Sequence, residues 1–434
     1  MSSLGPTIIF DKSLLQSLSE DESIWLDAFY HTILTPLFYV ETLADLSKES
    51  ETRSPEDTVR MIANKVPEMS SSPNTHHREL CIGNLLGYDV SSSRRPILTG
   101  GKSYVLNSKR GVVFDEHPEM QAFQRWQKQE FFEIERGIAS LWRKSLAEFD
   151  YDYFIAAIEG ILGTDFKKPK SLEEAFDVAS KIVSGHGNRY KALRLLRDLV
   201  NINDEAFKNI LGIWNRKNLI PIADLAPYAA HVLKVDIFYI LSTSSGLISR
   251  ERKSNRADIA YLYYLPFTNI FTSGDKLHKR VVPMFLDPDQ RFIYGPDLKE
   301  DLKKLDEHFF QSKTDEEKQA GVYGFAWYPP DNDRFLTTRM WDNLRPKWRL
   351  SDNPAKLGKQ PKMSIPDGLK DHIKKAYSEI KKQEGKPLPP EFDLEDANDI
   401  IMKRQVRGRK GKWQLFSDEI LSSKERLMED DTDM

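Results

Sequence analysis

Four carboxylates carry the strongest chemical signal in the chain: Asp11, Glu41, Asp258 and Asp275. Asp11 follows the apolar run Thr7-Ile8-Ile9-Phe10, whose β-branched residues suit a buried central strand. Glu41 lies between Val40 and Leu43 in an apolar helical stretch after a second short strand, Ile33-Leu34. Asp258 opens a helix, and Asp275 follows the strand Asn269-Ile270-Phe271-Thr272 across a Ser273-Gly274 turn. In a parallel sheet with helical crossovers, the C-terminal ends of the strands share one edge, and ligands bind there. Carboxylates gathered at that edge repel one another unless a cation stands among them. Hard oxygen ligands select Mg²⁺ or Mn²⁺. A site of this kind activates water for in-line displacement at phosphorus and needs no protein nucleophile.

The flanking residues fit a phosphate substrate. Arg250, Arg252, Lys253 and Arg256 lead up to Asp258, and Lys276, His278, Lys279 and Arg280 lead away from Asp275. Acids for metal between bases for backbone phosphates is the layout of a metal-dependent nuclease. Arg256, Lys276, Lys279 and Arg280 are the expected phosphate-binding residues. Asp45 stands one helical turn after Glu41 on the same face. With Ser273 it is expected to support the ligands from behind. Asp236 shares a helical stripe with Ala229, Leu233 and Ile240, so it should be buried and need a cation or donors. It would salt-bridge to a neighbouring helix or reach the metal set. Plainer readings stand beside these. Asp11 suits a helix N-cap before KSLLQSL, Asp258 a cap or a partner of Arg256, and Asp275 a turn.

The segments TIIFDKSLLQSL, ILTPLFYVETLADL and NRADIAYLYYLPFTNIFTSGDKLHK together resemble the PIN domain, a metal-dependent nuclease fold. In that family one acid follows the first strand, as Asp11 does. A second follows a Ser/Thr-bearing strand by about six residues, as Glu41 follows Thr35. A third sits in an Asp-x-x-Ile-Ala-like helix, loosely matched by Asp258-Ile259-Ala260, and a fourth in a Thr-x-Asp turn, matched by Ser273-Gly274-Asp275. The resemblance covers roughly residues 7–48 and 255–290. It implies a three-layer α/β/α sandwich that binds Mg²⁺ or Mn²⁺ and hydrolyses RNA. The departure from small PIN domains is the long stretch between the second and third acids. The whole chain is also similar to a bacterial group with a PIN-like core. Two other readings compete: a non-catalytic scaffold that docks RNA or protein, and a DNA nuclease of related fold acting on single strands or flaps.

Positioning these residues requires a sheet built from distant pieces. Residues 1–50 read as strand, helix pair, strand, helix. Ser19 and Glu22 form a capping-box pattern ahead of Trp25, Leu26 and Phe29. Residues 51–245 read as a mainly helical insertion. It includes a loop or hairpin at 91–117, one long segment from Phe123 to Phe149, and helices at 151–162, 172–184, 189–200, 204–213 and 227–241. The aromatics Trp126, Phe131, Phe132 and Trp142 read as bundle core. The α/β texture returns at 246–327, with an amphipathic helix through Leu298, Leu302, Leu305 and Phe309. Residues 328–434 read as a polar extension. It carries a helix near Leu369 to Lys382, an acidic tail from Met428, and the basic run KRQVRGRKGK before Trp413. That run would bind nucleic acid or lie solvated against the acidic tail.

Composition sets the outer limits. With 434 residues and 40% hydrophobic content, the chain supports several domains and a large core. Sixty-three basic against 66 acidic residues, a net charge of −3, exclude a strongly basic nucleic-acid wrapper but not local patches. The single cysteine, Cys81, excludes a disulfide framework or a zinc ribbon. No signal peptide or membrane span is legible, and a soluble cytoplasmic protein is expected.

Overall fold

Strand β1 (Thr7–Phe10) is buried at every residue, and β2 (His31–Leu34) and β6 (Ile270–Ser273) repeat that pattern. Strands covered on both faces belong to parallel sheets with helical crossovers. With the short strands β3 (Ser71–Pro73) and β7 (Arg291–Tyr294) they form a five-stranded sheet of order β3-β2-β1-β6-β7. Every neighbouring pair is parallel, and Ile8 of β1 faces Thr32 on one side and Ile270 on the other. The protein is therefore α/β with a parallel central sheet. The computed structural model describes residues 5–48, 53–107, 109–163, 167–185, 187–350, 369–383 and 399–422. The acidic tail read from Met428 lies outside these residues.

Between β1 and β2 run α1 (Lys12–Ser17) and α2 (Glu20–Phe29). Ser19 and Glu22 make the expected reciprocal capping box. After β2, Thr35 caps α3 (Pro36–Leu43) by accepting from the Phe38 N–H at 3.1 Å, and a 3₁₀ turn (Ala44–Ser47) follows. Helix α4 (Pro55–Ala63) precedes β3, and α5 (His77–Leu85) follows it. β3 was not legible in the polar stretch Ser71-Ser72-Pro73. The approach to it is tied down by Asp27 of α2, which accepts from the backbone N–H groups of Glu68, Met69 and Ser70 at 2.7–2.9 Å. Pro73 is tolerated because the strand is at the edge.

Segment 51–245, read as an insertion, thus supplies a strand of the sheet. Residues 91–117 do contain a hairpin, β4 (Lys102–Leu106) and β5 (Lys109–Phe114), which gains a third strand, β8 (Asp399–Met402), from near the C-terminus. The segment read as one helix from Phe123 to Phe149 is two, α6 (Pro118–Gln127) and α7 (Glu133–Ala147). Gln129 separates them with a φ of 61°. Next come α8 (Tyr151–Leu162), α9 (Leu172–Ser184), α10 (Arg189–Val200), α11 (Asp204–Arg216) and α12 (Ile222–Leu225). Helix α13 (Pro227–Ser244) is apolar nearly all round and is buried among α5, α8 and α9. A helix of that composition belongs inside a core. It ends the helical block and leads to α14 (Ser254–Ala260) and a 3₁₀ turn (Tyr261–Phe267). Helix α15 (Lys276–Val281) follows β6, and α16 (Gly295–Ser312) follows β7 and packs on α2.

The C-terminal part departs most from expectation. Trp413 is 2% exposed and meets Trp25 edge-on at 5.1 Å. Much of the basic run before it is engaged within the protein, while Lys403 and Arg409 stay exposed. Arg407 pairs with Glu68 at 2.6 Å, buried Lys410 donates to the carbonyls of Lys65 and Val66, and Lys412 pairs with Asp306. Arg404 donates to the Met69 carbonyl. Of the aromatics read as bundle core, Trp126 is fully buried, while Phe132 is 56% exposed beneath Arg125. No helix among the described residues is long and apolar enough to cross a membrane.

Candidate functional site

The chain leaves β1 toward β2 and β3 on one side, and later lays β6 and β7 on the other. The order therefore reverses between β1 and β6, the place where open α/β sheets bind ligands. Asp11 ends β1, and Ser273 ends β6. The Ser273 hydroxyl donates to Asp11 Oδ2 at 2.7 Å, joining the two strand ends. Asp11 also accepts from Ser13 Oγ at 2.8 Å and from the Leu14 N–H at 3.1 Å. It is thus the cap of α1 and a site residue together. Burial pushes its carboxyl pKa up, but His278, Ser273 and Ser13 outweigh this and hold it below the usual value.

His278 is the residue whose role the sequence reading missed. It stood among the bases after Asp275, yet it is fully buried. Its Nε2 bonds to the Asp258 carbonyl at 2.6 Å, its Nδ1 to Ser273 Oγ at 2.7 Å, and Asp11 Oδ2 is 3.6 Å away. Its place three residues after the helix cap was the available signal, since that spacing turns it back to the cap's face.

The other acids converge from three elements. Glu41 on α3 accepts from the buried Tyr261 hydroxyl at 2.7 Å and faces Lys12 Nζ at 3.6 Å. Asp258 lies inside α14 and not at its start; it is 8% exposed, and its Oδ2 has no hydrogen-bond partner. Burial, with Glu41 and Asp275 nearby, lifts its pKa to about 7. Asp275 caps α15 by accepting from the Leu277 N–H, and its other oxygen accepts from Arg252 at 2.9 Å. Arg252 also stands 3.8 Å from Asp258. Tyr261 links the set. Burial, then the charges of Glu41, Asp11 and Asp258, push its phenol well above the ordinary range.

Supporting residues divide. Ser273 accepts the Asp275 N–H at 2.9 Å, so it serves both Asp11 and Asp275. Asp45 is buried and held by Lys12 at 3.0 Å and Lys48 at 2.6 Å. Asp236 does not join the cluster. It accepts from Tyr263 at 2.6 Å within the helical block, where burial raises its pKa against Arg256 and Tyr263. Arg256 stacks on Phe149 at 3.3 Å instead of facing the acids. Lys276, Lys279 and Arg280 are exposed on α15, with Lys279 over the Tyr294 ring at 4.4 Å.

Among the described residues, no group of three or more His, Cys, Asp or Glu side chains is arranged to hold a metal ion as it stands. Lys12 and Arg252 reach into the cluster. The donor chemistry nonetheless suits a hard cation: the groups are carboxylate oxygens, and the buried Asp258 Oδ2 has no hydrogen-bond partner. Comparison with family models, with curated proteins and with solved structures gave no match.

Proposed function

We propose that this protein is a PIN-like nuclease that hydrolyses phosphodiester bonds, RNA before single-stranded DNA, at the acid cluster with Mg²⁺ or Mn²⁺. The observation that carries the reading is Asp258, a buried carboxylate with an oxygen that accepts no hydrogen bond and a pKa lifted to about 7 beside two other acids. A structural role does not repay that burial, whereas functional sites collect such groups. Glu41, Asp258 and Asp275 would hold the ion, with Asp11 beside them. Bound there, a divalent ion lowers the pKa of water and offsets charge developing on the phosphate.

The chain's own groups supply the rest. Ser13 and Ser273 fix Asp11, and His278 ties the Asp258 backbone to Ser273. Lys276, Lys279 and Arg280 offer exposed positive charge to backbone phosphates. Arg252, now divided between Asp258 and Asp275, can turn to the same task. A binding scaffold without chemistry draws on a different observation, that Lys12 and Arg252 already offset part of the cluster.

Calorimetric titration of Mn²⁺ into the wild type and an Asp11→Asn/Asp258→Asn variant tests the proposal, followed by labelled RNA and single-stranded DNA. Metal uptake and cutting by the wild type, both lost in a folded variant, are expected. A folded wild type that takes up no metal would leave the scaffold reading standing, and cutting of DNA alone would replace the RNA reading.

A further inference from the structure

Lys12 is the first residue of α1 and is 7% exposed, an unusual place for a lysine. Its side chain crosses to α3 and the 3₁₀ turn that follows. There Nζ lies 3.0 and 3.1 Å from the two oxygens of Asp45, 3.2 Å from the Glu41 carbonyl and 3.6 Å from Glu41 Oε1. Three donors meet three acceptor groups, so none is left for a substrate. Removing an ammonium from water costs several kcal/mol unless partners of opposite charge surround it. The Glu41 and Asp45 carboxylates supply that opposite charge.

We infer that Lys12 is a built-in cation that takes the place of a second divalent ion, so that the acid cluster binds one divalent ion only. This rests on the nuclease reading above. Two-ion sites for phosphoryl transfer need carboxylates shared between ions about 3.5–4 Å apart. The two acids around Lys12, where a second ion would have to sit, are already engaged. Glu41 faces Lys12 with one oxygen and Tyr261 with the other, and Asp45 is held by Lys12 and Lys48. Lys12 is a positioning residue: it touches no reacting atom and acts through Glu41.

The test counts ions without relying on turnover. Mn²⁺ is titrated into the full-length wild type and into Lys12→Met, Lys12→Gln and Lys12→Arg variants, and bound ion is followed by electron paramagnetic resonance. One ion with an uncoupled six-line spectrum is expected for the wild type and Lys12→Arg. Two ions with a spin-coupled spectrum are expected once the charge is removed, and Asp258→Asn should abolish wild-type uptake. Lys12→Gln serves if Lys12→Met does not fold, and the wild-type count is decisive by itself against the idea. Two coupled ions on the wild type, or a single ion on a folded neutral variant, overturn the Lys12 inference and leave the nuclease reading intact. No ion on the wild type overturns both.

Discussion

Asp258 and His31 are both buried, and burial moves their titrations in opposite senses. Asp258 rises to about 7, so the folded protein keeps a proton that the unfolded chain releases between about pH 4 and 7. Its contribution to stability therefore falls as pH rises through that window, by at most about 4 kcal/mol. His31 is pushed down to about 4 by burial and by Arg404 and Arg345, so the folded protein refuses a proton that the unfolded chain accepts. Its contribution is full above about pH 6.5 and is lost as pH falls toward 4, by at most about 3 kcal/mol. In metal-free protein these slopes oppose each other. Thermal melting from pH 4 to 8 should show Asp258→Asn losing stability on acidification more steeply than wild type, and His31→Leu less steeply. Identical slopes in all three proteins would contradict this account. At this scale the sequence was informative where a residue follows a strand: Asp11 and Asp275 are joined through Ser273. It was silent on which way a side chain turns. Arg256, two residues from Asp258, stacks on Phe149, and His278, amid bases, turns inward.

Elements with a strong local pattern were legible: β1, the capping box before α2, the helices α8 to α10, and the strand before Ser273. β3 and β7 were not, because their strand form comes from parallel pairing with β2 and β6 and not from their own residues. Asp27 shows how such an element is enforced, through three backbone N–H groups and the Tyr323 hydroxyl at 2.7 Å. Truncation to Asp27→Ala strands these buried donors and should cost about 3 kcal/mol or more in urea unfolding; a loss below about 1 kcal/mol would mean that water replaces the carboxylate. Segment 399–416 was equally hidden. Its basic composition reads as surface, yet Asp306 accepts from the indoles of both Trp25 and Trp413, at 3.0 and 2.7 Å. The lysines and arginines there reach carbonyls and carboxylates left by other elements, which a one-dimensional charge pattern does not show.

Across the whole molecule one hydrophobic core runs from β1 through the helical block to Trp413, Leu415 and Phe416. Residues 51–245 therefore share a core with the sheet. A second cluster is small: Tyr104, Val113, Ala376 and Ile380 join the β4-β5-β8 sheet to the helix Leu369–Gln383. So little buried area favours local opening. Hydrogen exchange should release the amides of β4 and the helix Leu369–Gln383 well before those of β1 and β6; simultaneous exchange would show that the satellite opens only with the rest.

The sheet's central pairing has a consequence for synthesis. Asp11 and its partner Ser273 are 262 residues apart, a gap that a ribosome working at roughly 5–20 residues per second fills in about 13–52 s. Through that interval β1 has β2 beside it and an open edge on the other side, the exposed template by which unfinished chains pair with one another. The nascent protein therefore passes through a defined window in which a chaperone, or a neighbouring chain on the same message, competes for the place that β6 will take.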